Sequence, residues 1–207
     1  MSVANPLDTL FSLENSGGMR VFLFAKFYED LLRSYFAHKG YNVLPGKPQI
    51  FWNKTPLPPK PLSPNHTRLI NRLKDLQANA QYAIPDGLFV RNSAYYLWEA
   101  KNWIQELYPA PFADRVWDFA WLLAKKARYR GHDYPLAGFL ISWWEREEGM
   151  EDTLSELRNY VSPQTVDVII TKEVLEECIR EQYDWYQDLI AEKRENIEQF
   201  FDILLGK

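Results

Sequence analysis

Asp86, Glu99 and Lys101 are the residues of this chain best equipped for chemistry. Asp86 follows Pro85, and Glu99 and Lys101 flank Ala100. Between the two acids runs a largely apolar stretch, Gly87 to Trp98, interrupted by Arg91-Asn92-Ser93. It reads as two short strands joined by a tight turn, which would set two carboxylates and one ammonium on one surface. Two acids can hold a divalent cation, and an adjacent lysine can steady an attacking water. The chemistry within reach of such a set is metal-assisted hydrolysis of a phosphodiester.

The turn decides whether the set assembles. A two-residue turn at Asn92-Ser93 fits the turn chemistry, since Asn tolerates positive φ. In that register Asp86 stands opposite Glu99, with Cβ atoms about 4.5–5.5 Å apart. Lys101 lies two residues on and shares the face. A three-residue turn would make the pairing diagonal. The plainer alternative is a structural ion pair of Lys101 with Glu99 or Asp86 at a sheet edge, because charges in an apolar strand are costly unless paired.

The elements that must position these residues follow from periodicity. Apolar residues at helical spacing predict a helix from Met19 to Lys39, closed by Gly40. Tyr41 to Trp52 is strand-like, with a break at Pro45-Gly46. Five prolines between Asn53 and His66 predict an extended loop. Thr67 to Asn79 reads as a short helix, and Tyr82 to Val90 and Ala94 to Lys101 as the hairpin. A second long helix is expected from Phe112 to Arg130, ending at Gly131. Leu136 to Trp144 and Val166 to Ile170 read as strands, with an acidic turn region from Glu145 to Asp152 between them. Lys172 to Leu205 reads as helical, broken at most once. This order predicts an α/β protein, a mixed sheet covered by helices.

Composition sets outer limits. A chain of 207 residues with 46% hydrophobic content suits a single domain with a proper core. Eight Trp and 15% aromatic content argue against disorder. The longest apolar runs are far too short to span a bilayer, and Met1 to Leu13 lacks the pattern of a secretory signal. The lone Cys178 excludes an intrachain disulfide and a cysteine metal site. The expectation is a soluble cytoplasmic protein without membrane contact. Charge is uneven: residues 1–140 carry a net +6 and residues 141–207 a net −10. A basic front fits a polyanion site, although acidic C-terminal helices also serve solubility alone.

Pro85-Asp86, with Glu99-Ala100-Lys101 on the next strand, resembles the signature of the PD-(D/E)XK nuclease superfamily, which includes restriction endonucleases and Holliday-junction resolvases. The order of elements over about residues 19–143 is similar to that superfamily's αβββαβ core. The resemblance implies a restriction endonuclease-like core with a Pro-rich insertion at 53–66 and an added acidic helical segment at 172–205. It implies a Mg²⁺-dependent (or Mn²⁺-dependent) endonuclease acting on DNA. Asp86, Glu99 and the Ala100 carbonyl would bind the ion, and Lys101 would orient the attacking water.

Many members of that superfamily also carry a glutamate on the first core helix, and Glu29 matches by position. Helix geometry puts Glu29 at the edge of the apolar face, roughly 90° from its centre, and Asp30 on the solvent side. Glu29 would complete the metal shell, or is an ordinary boundary glutamate. Lys125, Lys126, Arg128 and Arg130 would clamp nucleic-acid phosphates, or merely suit a helix C-terminus. The rival to catalysis is the same fold retained as an inactive nucleic-acid-binding or assembly module. The apolar residues of Lys172 to Leu205 must pack on the core or on a second copy, so a homodimer is also expected.

Overall fold

The computed structural model describes residues 17–58, 60–101 and 111–204, with side chains described for 26–58, 60–100 and 111–196. Helical spacing of Phe27, Tyr28, Leu31, Leu32 and Phe36 gives one buried stripe on helix α1, Gly17–His38. Gly40, at φ 83°, turns the chain out of the helix. Two short strands follow, β1 (Asn42–Val43) and β2 (Ile50–Phe51), separated around Pro45-Gly46 as expected.

After the proline-rich stretch, helix α2 (Pro64–Asn79) starts earlier than its periodicity suggests. Ser63 caps it by accepting from the His66 amide, and Pro64 opens its first turn, where a missing N–H costs nothing. β3 (Tyr82–Ala83) pairs with β2.

β4 (Gly87–Arg91) and β5 (Ala94–Lys101) form the expected hairpin in the expected register, from Arg91 opposite Ala94 to Gly87 opposite Trp98. Asn92 and Ser93 take φ values of 51° and 62°, as a two-residue turn with the twist of the strands requires. β7 (His132–Trp143) runs parallel to β5, so the main sheet has the order β1-β4-β5-β7. The far side of β7 is shared. β6 (Lys126–Tyr129) pairs with its first residues, and β8 (Thr165–Ile170) pairs in parallel with Gly138 to Trp143.

The sheet separates two cores. Leu88, Leu97, Phe139 and Ile141 face α2, the turns at 116–123 and helix α4 (Met150–Val161). Phe89 and Trp98 face α1 and two C-terminal helices, α5 (Thr171–Glu181) and α6 (Asp184–Leu204). The Trp98 indole donates to Ser142 Oγ at 2.7 Å in the interior, tying β5 to β7. The molecule is therefore α/β, a mixed sheet flanked by helices.

The long helix expected over Phe112 to Arg130 is corrected. Only one turn of helix forms, α3 (Phe112–Arg115), followed by two short 3₁₀ turns, Val116–Asp118 and Ala120–Leu123, and then β6. The 3₁₀ residues Ala120 to Leu123 are all buried, so no polar face exists to make a helix amphipathic. Beyond them burial alternates, with Ala127 and Tyr129 inward, and Arg130-Gly131 form a second turn at φ 48° and 82°.

Helix α4 was not foreseen, because Glu145 to Asp152 reads as an acidic turn. Gly149, at φ 75°, starts the helix, and Leu154, Leu157 and Val161 bury its face. The C-terminal helix is broken once, at Gln182 with φ 50°. Its apolar residues Leu175, Cys178, Tyr186 and Leu189 pack in the core beside α1 within the same chain. Among the described residues no helix is long and apolar enough to cross a membrane.

Candidate active site

Backbone pairing of β4 with β5 stops at Gly87 and Trp98. Beyond that rung the two acids bind each other's strand. The Asp86 amide donates to Glu99 Oε2 at 3.2 Å, and the Ala100 amide donates to Asp86 Oδ2 at 2.8 Å. Both carboxylates are thus drawn to one strand end by hydrogen bonds from backbone amides. Gly87 permits this approach, since a Cβ there would stand 2.8 Å from Trp98 Cε3.

Helix α1 contributes from the side. Arg33 Nη2 donates to the Asp86 carbonyl at 2.9 Å, and its Nη1 to the Leu44 carbonyl at 3.2 Å. Glu29, one turn earlier, lies 3.8 Å from Arg33 Nη2. Lys47 joins the two acids: its Nζ is 3.0 Å from Asp86 Oδ1 and 3.5 Å from Glu29 Oε2. Partial burial pulls the Lys47 pKa down. The Asp86 hydrogen bond and the Asp86 and Glu29 charges outweigh that and hold it above the ordinary lysine range.

Asp30 departs from its expected solvent position. It is 2.9 Å from Lys26 and 2.6 Å from Lys193 of α6, and these ammonium groups lower its pKa against the burial that would raise it. α6 therefore covers the side of α1 that periodicity leaves to water.

Glu29, Asp86 and Glu99 are brought into one neighbourhood. Lys101 continues β5 opposite Trp143, but its side chain lies outside those described. Ala100 pairs with Ser142 in the parallel ladder. Among the described residues no group of three or more His, Cys, Asp or Glu side chains converges tightly enough to hold a metal ion.

The four basic residues lie elsewhere, on β6 and its turns rather than at a helix end. Lys126 pairs with Pro135 where Leu136 pairs with Tyr95, so they adjoin the turn end of β5. Glu99 is four residues further along that strand, about 13 Å. Arg128 and Lys126 are both drawn to Asp133, and Lys125 Nζ donates to Gln164 Oε1 at 2.7 Å. Arg130 follows β6 in the Arg130-Gly131 turn.

Glu99 also lines a cavity of about 480 Å³ on the α2 face, together with Arg72, Arg115 and aromatic side chains of the 3₁₀ turns and β7. Sequence reasoning passed over Lys47, Arg33 and this cavity. A lysine held between Pro45-Gly46 and Pro48 was a signal for Lys47, and the four-residue spacing from Glu29 a signal for Arg33. Compared with known proteins, the chain matches no family model, no curated protein and no solved structure.

Proposed function

We propose that this protein is a metal-dependent nuclease that hydrolyses phosphodiester bonds, as an endonuclease on DNA, on a restriction endonuclease-like core. The observation that carries this reading is the reciprocal binding of Asp86 and Glu99 across one strand end. The order α1, β1, the β4–β5 hairpin and the parallel β7 supports the αβββαβ reading, with α3 and the 3₁₀ turns in place of a full second helix. A cytoplasmic location fits this activity.

The donor set suits a hard cation. Asp86 and Glu99 offer carboxylate oxygens and Ala100 a carbonyl, and Mg²⁺ is commonly held by one or two carboxylates plus substrate phosphate and water. These three residues would hold Mg²⁺ or Mn²⁺. When bound, the ion would acidify a water and offset charge on the phosphate. Lys47 neutralises Asp86 and Glu29, and Arg33 fixes the Asp86 backbone from α1. By the resemblance, Lys101 would orient the nucleophile and Glu29 would tune the shell of the ion. Two such sites in a homodimer would serve to cut both strands of a duplex.

One observation favours a second reading, a nucleic-acid-binding module without catalysis. The Lys47 ammonium already lies between Asp86 and Glu29, where it offsets the charge that would attract an ion. Titration with Mn²⁺, followed by electron paramagnetic resonance, separates the two. The nuclease reading expects one saturable site that is lost in Asp86→Asn and in Glu99→Gln. Absence of that site in the unmodified protein would leave the binding-module reading standing.

A further inference from the structure

The small sheet beside the acid pair carries more cationic charge than Asp133 can balance. The Gln49–Arg128 bridge, with backbone bonds of 2.8 and 2.7 Å, joins β2 and β3 to β6. Ile50, Ala127 and Tyr129 point into the core, so Phe51, its partner Tyr82, Lys126 and Arg128 stand on the outer face. Arg128 Nε is 2.8 Å from Asp133 Oδ1, and the Lys54 and Lys126 ammonium groups each lie 3.7 Å from Oδ2. Three cations thus share one acid. Arg128 Cζ and Lys54 Nζ also lie 5.0 and 5.5 Å from the centroid of the Phe51 ring, and the exposed Tyr82 ring leans on Phe51.

We infer that this outer face binds the phosphate backbone of the nucleic-acid strand held at Asp86 and Glu99. The choice of nucleic acid rests on the phosphodiester reading of the acid pair. Two short stretches of chain tie the face to that pair. From Tyr82, four residues lead through the exposed Ile84 to Asp86, at most about 14 Å of chain. From Gln49, two residues lead back to Lys47, whose ammonium is 3.0 Å from Asp86 Oδ1. One DNA strand carries a phosphate about every 3.4 Å along the helix axis, so a strand seated at the acids sets several phosphates over that interval.

A purely structural network does not account for the face. Arg128 alone matches the charge of Asp133. Lys54 and Lys126 gain little from a carboxylate 3.7 Å away in water, and they repel each other. The Phe51 ring holds Arg128 and Lys54 without neutralising them. Every cation of the face belongs to residues 1–140, which carry the net +6, so the face is cationic although the whole chain is at −4. Of the four basic residues expected to clamp phosphates, Lys126 and Arg128 belong to this face. Lys125 turns to Gln164, and Arg130 lies over the Tyr129 ring.

The test is fluorescence anisotropy of a labelled DNA duplex with the whole chain in EDTA, over a series of salt concentrations, so that binding is read without cleavage. The double variant Lys54→Gln with Lys126→Gln is expected to bind about tenfold more weakly than the parent at low salt. Its slope of log K against log salt should be shallower by about 2, one for each lost phosphate contact. Arg180→Gln, which removes an exposed cation of α5, is expected to leave affinity and slope unchanged. Unchanged binding in the double variant, an equal loss in Arg180→Gln, or no binding of DNA by the parent would overturn the inference. Polyaspartate bound as tightly as the duplex would also overturn it, and would mark a face for acidic proteins. The two readings fail separately. Binding that the double variant weakens, without Mg²⁺-dependent cleavage by the parent, removes the catalytic reading alone. Cleavage by the parent, with binding that the double variant leaves unchanged, removes the phosphate-binding face alone.

Discussion

Lys47 and Asp86 are 39 residues apart in sequence, yet the Lys47 ammonium sits 3.0 Å from Asp86 Oδ1. The same ammonium is 3.5 Å from Glu29, so a single cation already links two of the three acids gathered at the end of the β4–β5 hairpin.

Removing that cation should favour a divalent one. At about 4 Å in water a unit charge is worth about 1 kcal/mol, or roughly a fivefold change in affinity. Lys47→Met is therefore expected to bind Mn²⁺ about fivefold more tightly, read by calorimetry at neutral pH. Its pKa is raised in the folded protein, so the stability that Lys47 brings is complete below the ordinary value of 10.5 and is lost as pH rises through the elevated one. Unchanged or weaker Mn²⁺ binding in the variant would show that the ammonium does not compete for the ion's place.

Gly87 should be intolerant of a side chain although its backbone is ordinary. A Cβ would meet Trp98 Cε3 at 2.8 Å, and Trp98 is fixed beneath by Ser142 and packed edge-on to Phe36. Gly87→Ala is expected to cost about 1–3 kcal/mol in urea unfolding. It should also reduce Mn²⁺ affinity, because the Asp86 amide must move with the strand. A neutral effect on both would mean that the hairpin end is looser than its contacts imply.

Glu177 anchors the C-terminal helices to α1. It accepts from Tyr35, Lys39 and Tyr183, each at 2.8 Å, and the Lys39 hydrogen bond is the main cause that brings its pKa down to about 2. A depressed folded-state pKa adds stability above the ordinary 4.5, which is lost as pH falls through about 2. Glu177→Gln should cost about 1 kcal/mol at neutral pH, a modest figure because its main partner Lys39 is exposed and screened by water. Thermal unfolding between pH 7 and pH 2 should then show a smaller acid dependence in the variant. Identical pH profiles would contradict the assignment.

The hairpin was legible because its information is local. Asn92-Ser93 fixes the turn, the turn fixes the register, and the register brings Asp86 to Glu99. The second long helix was misread for an equally local reason. Ala120 to Leu123 are buried whatever the backbone does, so their apolar character carries no period. The signals that were present, alternation at Lys126 to Tyr129 and the turn at Arg130-Gly131, are the same kind that revealed the first hairpin. The Lys47–Asp86 and Asp30–Lys193 pairings could not be read, since each joins segments far apart in sequence that the fold alone brings together.

The central claim is that Asp86 and Glu99 support metal-dependent phosphodiester hydrolysis. Its most direct test is the cleavage rate of end-labelled duplex and single-stranded DNA in Mg²⁺, with the unmodified protein and Asp86→Asn at equal concentration. The account predicts cleavage that EDTA abolishes and that Asp86→Asn lowers by at least about a hundredfold, with its folded stability near that of the parent. Cleavage that persists in EDTA, a variant as active as the parent, or no cleavage by either protein would contradict it.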